Sequence, residues 1–179
     1  MHDSATTANL LGATALALTD VTLGNVTRAA GVNAREATAM VTLSASPGLS
    51  VSELGRRVGL TQSAAARMVD GLEADGLLTR EPHPFNRHWV TLSLTETGWA
   101  TTRHILGARA APLGGVLDCL DEGEQQTLSC LLAKLLTQLY KDTGNAKYIC
   151  RLCDEHACVT EHSVCPVGEA ERQDKRQRG

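Results

Sequence analysis

Four cysteines stand within sixteen residues near the C-terminus, in the pattern Cys150-x2-Cys153-x4-Cys158-x6-Cys165. Thiolates are soft ligands, and a Cys-x-x-Cys turn presents two sulfurs to one centre, so this spacing can hold a metal ion or cluster. The bland alternatives are unrelated thiols on a tail, or redox cysteines that form disulfides under stress. Four in so short a segment favour ligation. His156 and His162 could each replace a cysteine, but four thiolates make neither necessary. Cys119 and Cys130 fall on apolar helical stretches, where a free cysteine usually packs as a small buried hydrophobe.

An all-thiolate set suits either structural Zn2+ or an iron–sulfur cluster. Cys165-Pro166 is similar to the Cys-Pro that closes ferredoxin-type motifs, which favours the iron–sulfur cluster over zinc. No Ser/His/Asp order, phosphate-binding glycine loop or His-Glu-x-x-His pattern is present, and a fully cysteine-ligated metal leaves no open position for substrate. The expectation is a protein that is not an enzyme.

A second group of residues has the chemistry of duplex reading. Val51 to Val58 and Gln62 to Ala74 have helical periodicity and are joined by Gly59-Leu60, with Thr61 placed to cap the second helix. At the start of that helix Thr61, Gln62 and Ser63 offer donors and acceptors. Gln62 can pair with an adenine edge, and Ala64, Ala65 and Ala66 are small enough to allow close approach, with a methyl for thymine. Those alanines also fit plain helix propensity. Arg67 can bind phosphate or guanine, the competing reading being a surface ion pair with Asp70 or Glu73. His83, His88 and His104 read as solvent-facing or phosphate-contacting groups.

These groups need elements to hold them. The chain has 179 residues, about one domain of roughly 150 residues plus an appendage. Its 42% apolar and 21% charged composition is that of a folded protein. The few aromatic residues (Phe85, Trp89, Trp99, Tyr140, Tyr148) argue against a platform that stacks single-stranded bases. A net charge of −3 and a pI near 6.1 exclude a general nucleic-acid coat but leave room for a local reading head. The N-terminus lacks a signal-peptide pattern and no run of about 18 apolar residues is present, so the expected location is cytoplasmic.

Residues 8–30 are apolar on two stripes and need more than one neighbour; 35–45 form a short helix stopped by Pro47-Gly48. Ser50 and Glu53 have capping-box spacing, as do Asp121 and Glu124. Leu77 to Glu81 and Trp89 to Leu94 are strand-like and make a β-hairpin whose tip, Pro82 to His88, is too rich in proline for strand. A long helix from Thr95 to about Leu120 is expected to kink or break near Pro112. Leu128, Leu131, Leu132, Leu135, Leu136 and Leu139 form a packing seam. The charged run 171–179 is expected to be disordered. The resulting division is 1–34, 35–95, 96–145, a cysteine cluster at 146–168 and a tail at 169–179.

In this order, Val51-Ser-Glu-Leu-Gly-Arg-Arg-Val-Gly-Leu-Thr-Gln-Ser-Ala-Ala-Ala-Arg-Met-Val-Asp70, Leu72-Glu-Ala-Asp-Gly-Leu-Leu78 and Asn86-Arg-His-Trp-Val-Thr-Leu-Ser-Leu-Thr-Glu-Thr-Gly98 resemble the MarR family of winged-helix transcriptional regulators over about residues 8–142. The resemblance implies a mainly α fold with a small β-hairpin wing, a homodimer interlocked through its first and last helices, and a DNA-binding regulator, most often a repressor. It places Thr61, Gln62, Ser63, Ala64 and Arg67 at the major groove of a palindromic operator. The wing residues Asn86, Arg87 and His88 would lie at the backbone and minor groove. Arg87 is the candidate for minor-groove insertion. Asn86 stands where the family usually has aspartate, so it can orient Arg87 by a hydrogen bond but without a charge.

Residues 51–104 balance six arginines against six acids, so binding has to lean on geometry and paired half-sites rather than on net charge. Three functions remain open. In the first, a redox-sensing centre on Cys150, Cys153, Cys158 and Cys165 gates the regulator by bracing its dimer helices. In the second, zinc is structural and a phenolic or other small effector binds between the dimer helices and the winged domain. In the third, the protein carries electrons or handles metal, and the helix-turn-helix binds a protein partner.

Overall fold

The computed structural model of the chain describes residues 3–83, 86–159 and 164–178, with the side chains of 83, 86–88 and 156 outside that description. The first helix, α1 (Ser4–Ala30), starts earlier than the apolar stripes indicate because Asp3 caps it, its carboxylate accepting the Ala5 N–H at 3.0 Å. Next comes α2 (Ala34–Ala45), opened by a reciprocal Asn33/Glu36 box that the sequence reading passed over. Two helices at a turn follow, α3 (Val51–Val58) and α4 (Gln62–Ala74). The hairpin is β1 (Leu78–His83) and β2 (Asn86–Leu94), after which α5 (Glu96–Leu117) and α6 (Glu122–Thr143) complete the regular part.

One aliphatic core serves the first two-thirds of the chain. Met40 and Leu43 of α2, Leu54 of α3, Leu72 of α4, Leu78 and Leu92 of the hairpin and Ile105 of α5 are fully buried together. Each of these helices therefore has one side committed to the same centre, and this fixes the turn between α3 and α4 relative to the wing. The fold is a mainly helical winged helix-turn-helix with a two-stranded antiparallel sheet.

The strands run further toward the tip than the proline content indicates. Pro82 lies in β1 opposite Val90, with a register shift between Pro82 and His83. A hairpin strand has an open edge, and a proline there forfeits no ladder bond. On the inner side, Leu92 donates its N–H to the Leu49 carbonyl at 2.9 Å, tying the wing to the entrance of α3.

The geometry also explains why Leu72 to Leu78 and Leu94 to Gly98 go together. Thr95 Oγ1 donates to the Gly76 carbonyl at 2.7 Å and accepts the Gly98 N–H at 2.9 Å, capping α5 on the turn that precedes β1. Gly98 faces the Leu77 carbonyl so closely that no side chain fits there.

Several expectations are corrected. The break at Pro112 is absent: α5 runs through that residue as one element and ends at Leu117, because a proline removes one helical hydrogen bond without obliging the rest of the ladder to stop. Ser50 accepts the Glu53 N–H at 3.2 Å, but the return half of that box is not made, since Glu53 is held by Arg56 and Arg57. By length and composition alone α1 could cross a membrane, contrary to the reading that no such segment exists; it packs along α5 and buries Thr22 and Val26.

The charged tail is also ordered. Beyond α7 (Ala146–Ile149) and α8 (Glu155–Cys158), helix α9 (Pro166–Arg178) packs on α6. Val167 and Ala170 are buried with Tyr140 and Ala146, and Tyr140 Oη donates to Asp174 at 3.3 Å. Glu169–Arg172, Glu171–Lys175 and Asp174–Arg178 pairs line its exposed side.

Candidate nucleic-acid interface and cysteine cluster

Thr61 sits at the N-cap of α4, its Oγ1 accepting the Ala64 N–H at 3.3 Å and lying 3.4 Å from Ser63 Oγ. Thr61, Gln62 and Ser63 are exposed, so the first turn of α4 presents side-chain polar groups and unpaired backbone N–H groups outward together. Arg67 is exposed one turn further on, at i+4 from Ser63. Ala64 and Ala66 are half-buried, whereas Ala65 is completely buried and so is a core residue with no methyl to offer a base.

Arg67 does not make the ion pair considered for it. Both Asp70 and Glu73 are taken by Arg80 of β1, at 2.5 Å to Asp70, and among the described residues Arg67 has no carboxylate partner. The Asp70 hydrogen bond raises the Arg80 pKa further above its ordinary value. Arg80 is the functional residue that the sequence reading missed. It clamps the wing to α4 across ten residues, a separation with no local periodic signal. Under α3 a similar cluster holds Glu53 against Arg56 and Arg57 at 2.7–2.8 Å, and their hydrogen bonds, Arg56 first, pull its pKa down to about 2.

The side chains of Asn86, Arg87 and His88 lie outside the described residues; their backbone opens β2.

The four C-terminal cysteines come from three short elements. Cys150 ends α7, and Cys153 closes the next turn by donating its N–H to the Cys150 carbonyl at 2.9 Å. Cys158 ends α8, and Cys165 precedes α9, its sulfur accepting the Gly168 N–H at 3.4 Å. All four line one cavity of 230 Å³. Cys150 and Cys165 also pack against the cluster that holds α9 to α6.

The electrostatics there are those of crowded thiols. The Cys150 thiol donates to Cys153, which raises the Cys150 pKa and lowers that of Cys153, the latter aided by Arg109 and Arg151. Burial, then the charges of Cys153 and Cys165, raise Cys158. Among the described residues no group of three or more His, Cys, Asp or Glu side chains is drawn together closely enough to form a metal site as it stands. His156 and His162 fall outside the described side chains. Cys119 and Cys130, expected to be buried, are exposed in the single chain because α5 ends before Cys119 and Cys130 faces away from α9 and the core.

A family model described as the MarR family matches residues 30–87. The HTH-type transcriptional repressor MdtR of Bacillus subtilis is 30% identical over 105 residues, a stretch covering 59% of this chain and 68% of that protein. Among solved structures, the YusO protein of Bacillus subtilis superposes with a TM-score of 0.64 at 27% identity, covering 75% of this chain and 96% of that one. Streptococcus pneumoniae FabT in complex with DNA gives 0.55 at 20% identity over 63% of this chain and 78% of that one, a likeness of fold alone. Each of these similarities covers at most three-quarters of the chain.

Proposed function

The chain belongs to the MarR family of winged helix-turn-helix regulators, and from that premise we propose that it binds a palindromic operator as a homodimer and represses transcription from it. The observation that carries this reading is the start of α4, where Thr61, Gln62 and Ser63 of the first turn and Arg67 of the second, with no carboxylate partner among the described residues, are exposed on a helix clamped to the wing by Arg80. Gln62 reads a base edge and Arg67 takes a phosphate or guanine, with Asn86, Arg87 and His88 reaching the backbone and minor groove beside it. The exposed leucines of α6 (Leu131, Leu132, Leu135, Leu139) and of α1 (Leu10, Leu11, Leu16) supply the apolar faces a partner subunit would cover. The reading is of a cytoplasmic regulator without catalytic activity.

The gate in this reading is a metal centre held by Cys150, Cys153, Cys158 and Cys165, an iron–sulfur cluster in preference to Zn2+. Its support is the shared cavity and the chemistry of the donors. Four soft sulfur donors line the same 230 Å³, the number and type that a tetrahedral metal or an iron–sulfur cluster takes. Ligation would draw the four sulfurs together.

A second reading has one observation of its own. A cavity of 380 Å³ between α1, α2, the end of α3, α5 and the α7 turn is lined by Arg35, Arg109 and Arg151, with no carboxylate on its wall among the described residues. Such a cavity suits an anionic effector such as a phenolic acid, with zinc as a brace on the cysteines.

Selection of duplexes from a random-sequence pool by the full-length protein tests the first reading. It should return an inverted repeat with half-sites about one helical turn apart. Recovery of no enriched sequence would remove the regulator reading. Protein purified without oxygen should be brown and contain iron; a colourless zinc protein would favour the second reading.

A further inference from the structure

The cysteine-bearing segment does more than follow the last helix. It folds back across the winged domain, where Leu152 packs against the main core and the Arg151 carbonyl lies 3.4 Å from Thr42 Oγ1 of α2, whose hydroxyl donates to the Thr38 carbonyl at 2.8 Å. Between them the Tyr148 ring lies on Gly59, the left-handed residue (φ 74°) that ends α3 and begins the turn into α4. A Cβ at Gly59 would stand 3.0 Å from Tyr148 Cε2 and 3.5 Å from Cδ2, so the ring rests on bare backbone. The Arg151 guanidinium is 3.9 Å from the centroid of the same ring, and Arg151 also donates to the Tyr148 carbonyl at 2.6 Å.

We infer that Tyr148 is a positioning residue that couples the Cys150–Cys153 turn to the helix-turn-helix. Its ring, in contact with both Arg151 and Gly59, restrains the turn that aims α4. The ring lies two residues before Cys150, and the guanidinium that clamps it lies between Cys150 and Cys153. Any change in the geometry of that Cys-x-x-Cys turn therefore moves both parts of the clamp at once. This route reaches the recognition helix within one chain, whereas the expected route through the dimer helices needs both subunits. In its regulatory consequence the inference rests on the metal reading above; the restraint itself does not.

Hydrogen exchange of the full-length protein tests it, with Co2+ as the probe metal. In metal-free protein, Tyr148→Ala should speed exchange of the amides at 60–64 by about threefold or more, with the β1–β2 amides unchanged as a monitor of global unfolding. Tyr148→Phe, which keeps the ring, should behave as wild type. Equal exchange at 60–64 in Tyr148→Ala and wild type overturns the inference. On adding Co2+, wild type should develop thiolate-to-cobalt absorption and slower exchange at 60–64, and Tyr148→Ala should develop the absorption alone. Slowing that survives in Tyr148→Ala overturns the coupling. Absence of the absorption band in wild type removes the metal reading, and the metal-free comparison still decides the restraint.

Discussion

At the scale of single residues, reading and holding are done by different arginines. Arg80 is consumed by Asp70 and Glu73, and Arg56 and Arg57 by Glu53, which leaves Arg67 available to a phosphate or a base. If Arg67 contacts phosphate, Arg67→Ala should weaken binding of the selected duplex about equally across sequences and lower the slope of log affinity against log salt by about 1. Gln62→Ala should instead relax discrimination at one base pair, by about 1–3 kcal/mol. A salt slope unchanged in Arg67→Ala would take that residue off the phosphate backbone. The Glu53 cluster gives a pH test. Its folded pKa, about 2, is below the ordinary 4.5, so its stabilisation is complete above the ordinary value and is lost as pH falls toward 2. Denaturation of wild type against Glu53→Gln should differ at neutral pH by about 0.5–1 kcal/mol, the range for largely exposed ion pairs, and the gap should close on acidification. A gap that widens in acid would reverse the assignment. Thr61 was legible in the sequence because capping is local chemistry. Arg80 was not, because its partners lie on another element and nothing in the spacing of Arg67, Asp70 and Glu73 shows that a strand residue will claim both carboxylates.

At the scale of elements, local caps and periodicity placed α2, α3, α4 and the hairpin closely, since each has a start signal and one buried side. They misplaced what depends on distant partners. The run Glu171 to Arg178 reads as a solvated tail, yet Val167 and Ala170 give it a short apolar edge that only the Tyr140 face of α6 reveals. Val167→Asp should put an unpaired carboxylate into that contact and release α9, seen as faster proteolysis between residues 166 and 178 with the winged domain still protected. Equal cleavage rates would mean that α9 is not held by this contact. The C-terminal segment links two bodies, α6 through α9 and the helix-turn-helix through Tyr148 and Leu152. The expectation that a metal would brace the dimer helices therefore describes one half of its contacts.

At the scale of the whole molecule, the unburied apolar faces and the near-neutral charge make one argument. A chain with net charge −3 attracts DNA weakly at long range, so the proposed operator binding would draw its affinity from two α4 helices set at the spacing of two half-sites. The faces of α1 and α6, with Leu10, Leu11 and Leu16 and with Leu131, Leu132, Leu135 and Leu139 exposed, are where the proposed dimer would form. Leu135→Asp should shift the protein toward monomer in analytical ultracentrifugation and cost at least about tenfold in duplex affinity, the double-mutant with Leu131→Asp more so. A variant that remains dimeric would place the interface elsewhere. The sequence made the leucine seam and the cysteine spacing visible but not the cavity that the four cysteines line, because that cavity is assembled from α7, α8 and the start of α9 in three dimensions. The most direct measurement of the central claim is the affinity of the selected duplex for anaerobically purified, metal-stripped and Cys153→Ser protein, read by fluorescence anisotropy at one salt concentration. The account predicts that loaded and stripped wild type differ by about tenfold or more, a coupling of ~1.4 kcal/mol, and that Cys153→Ser shows no such difference. Equal affinities for all three proteins would contradict it.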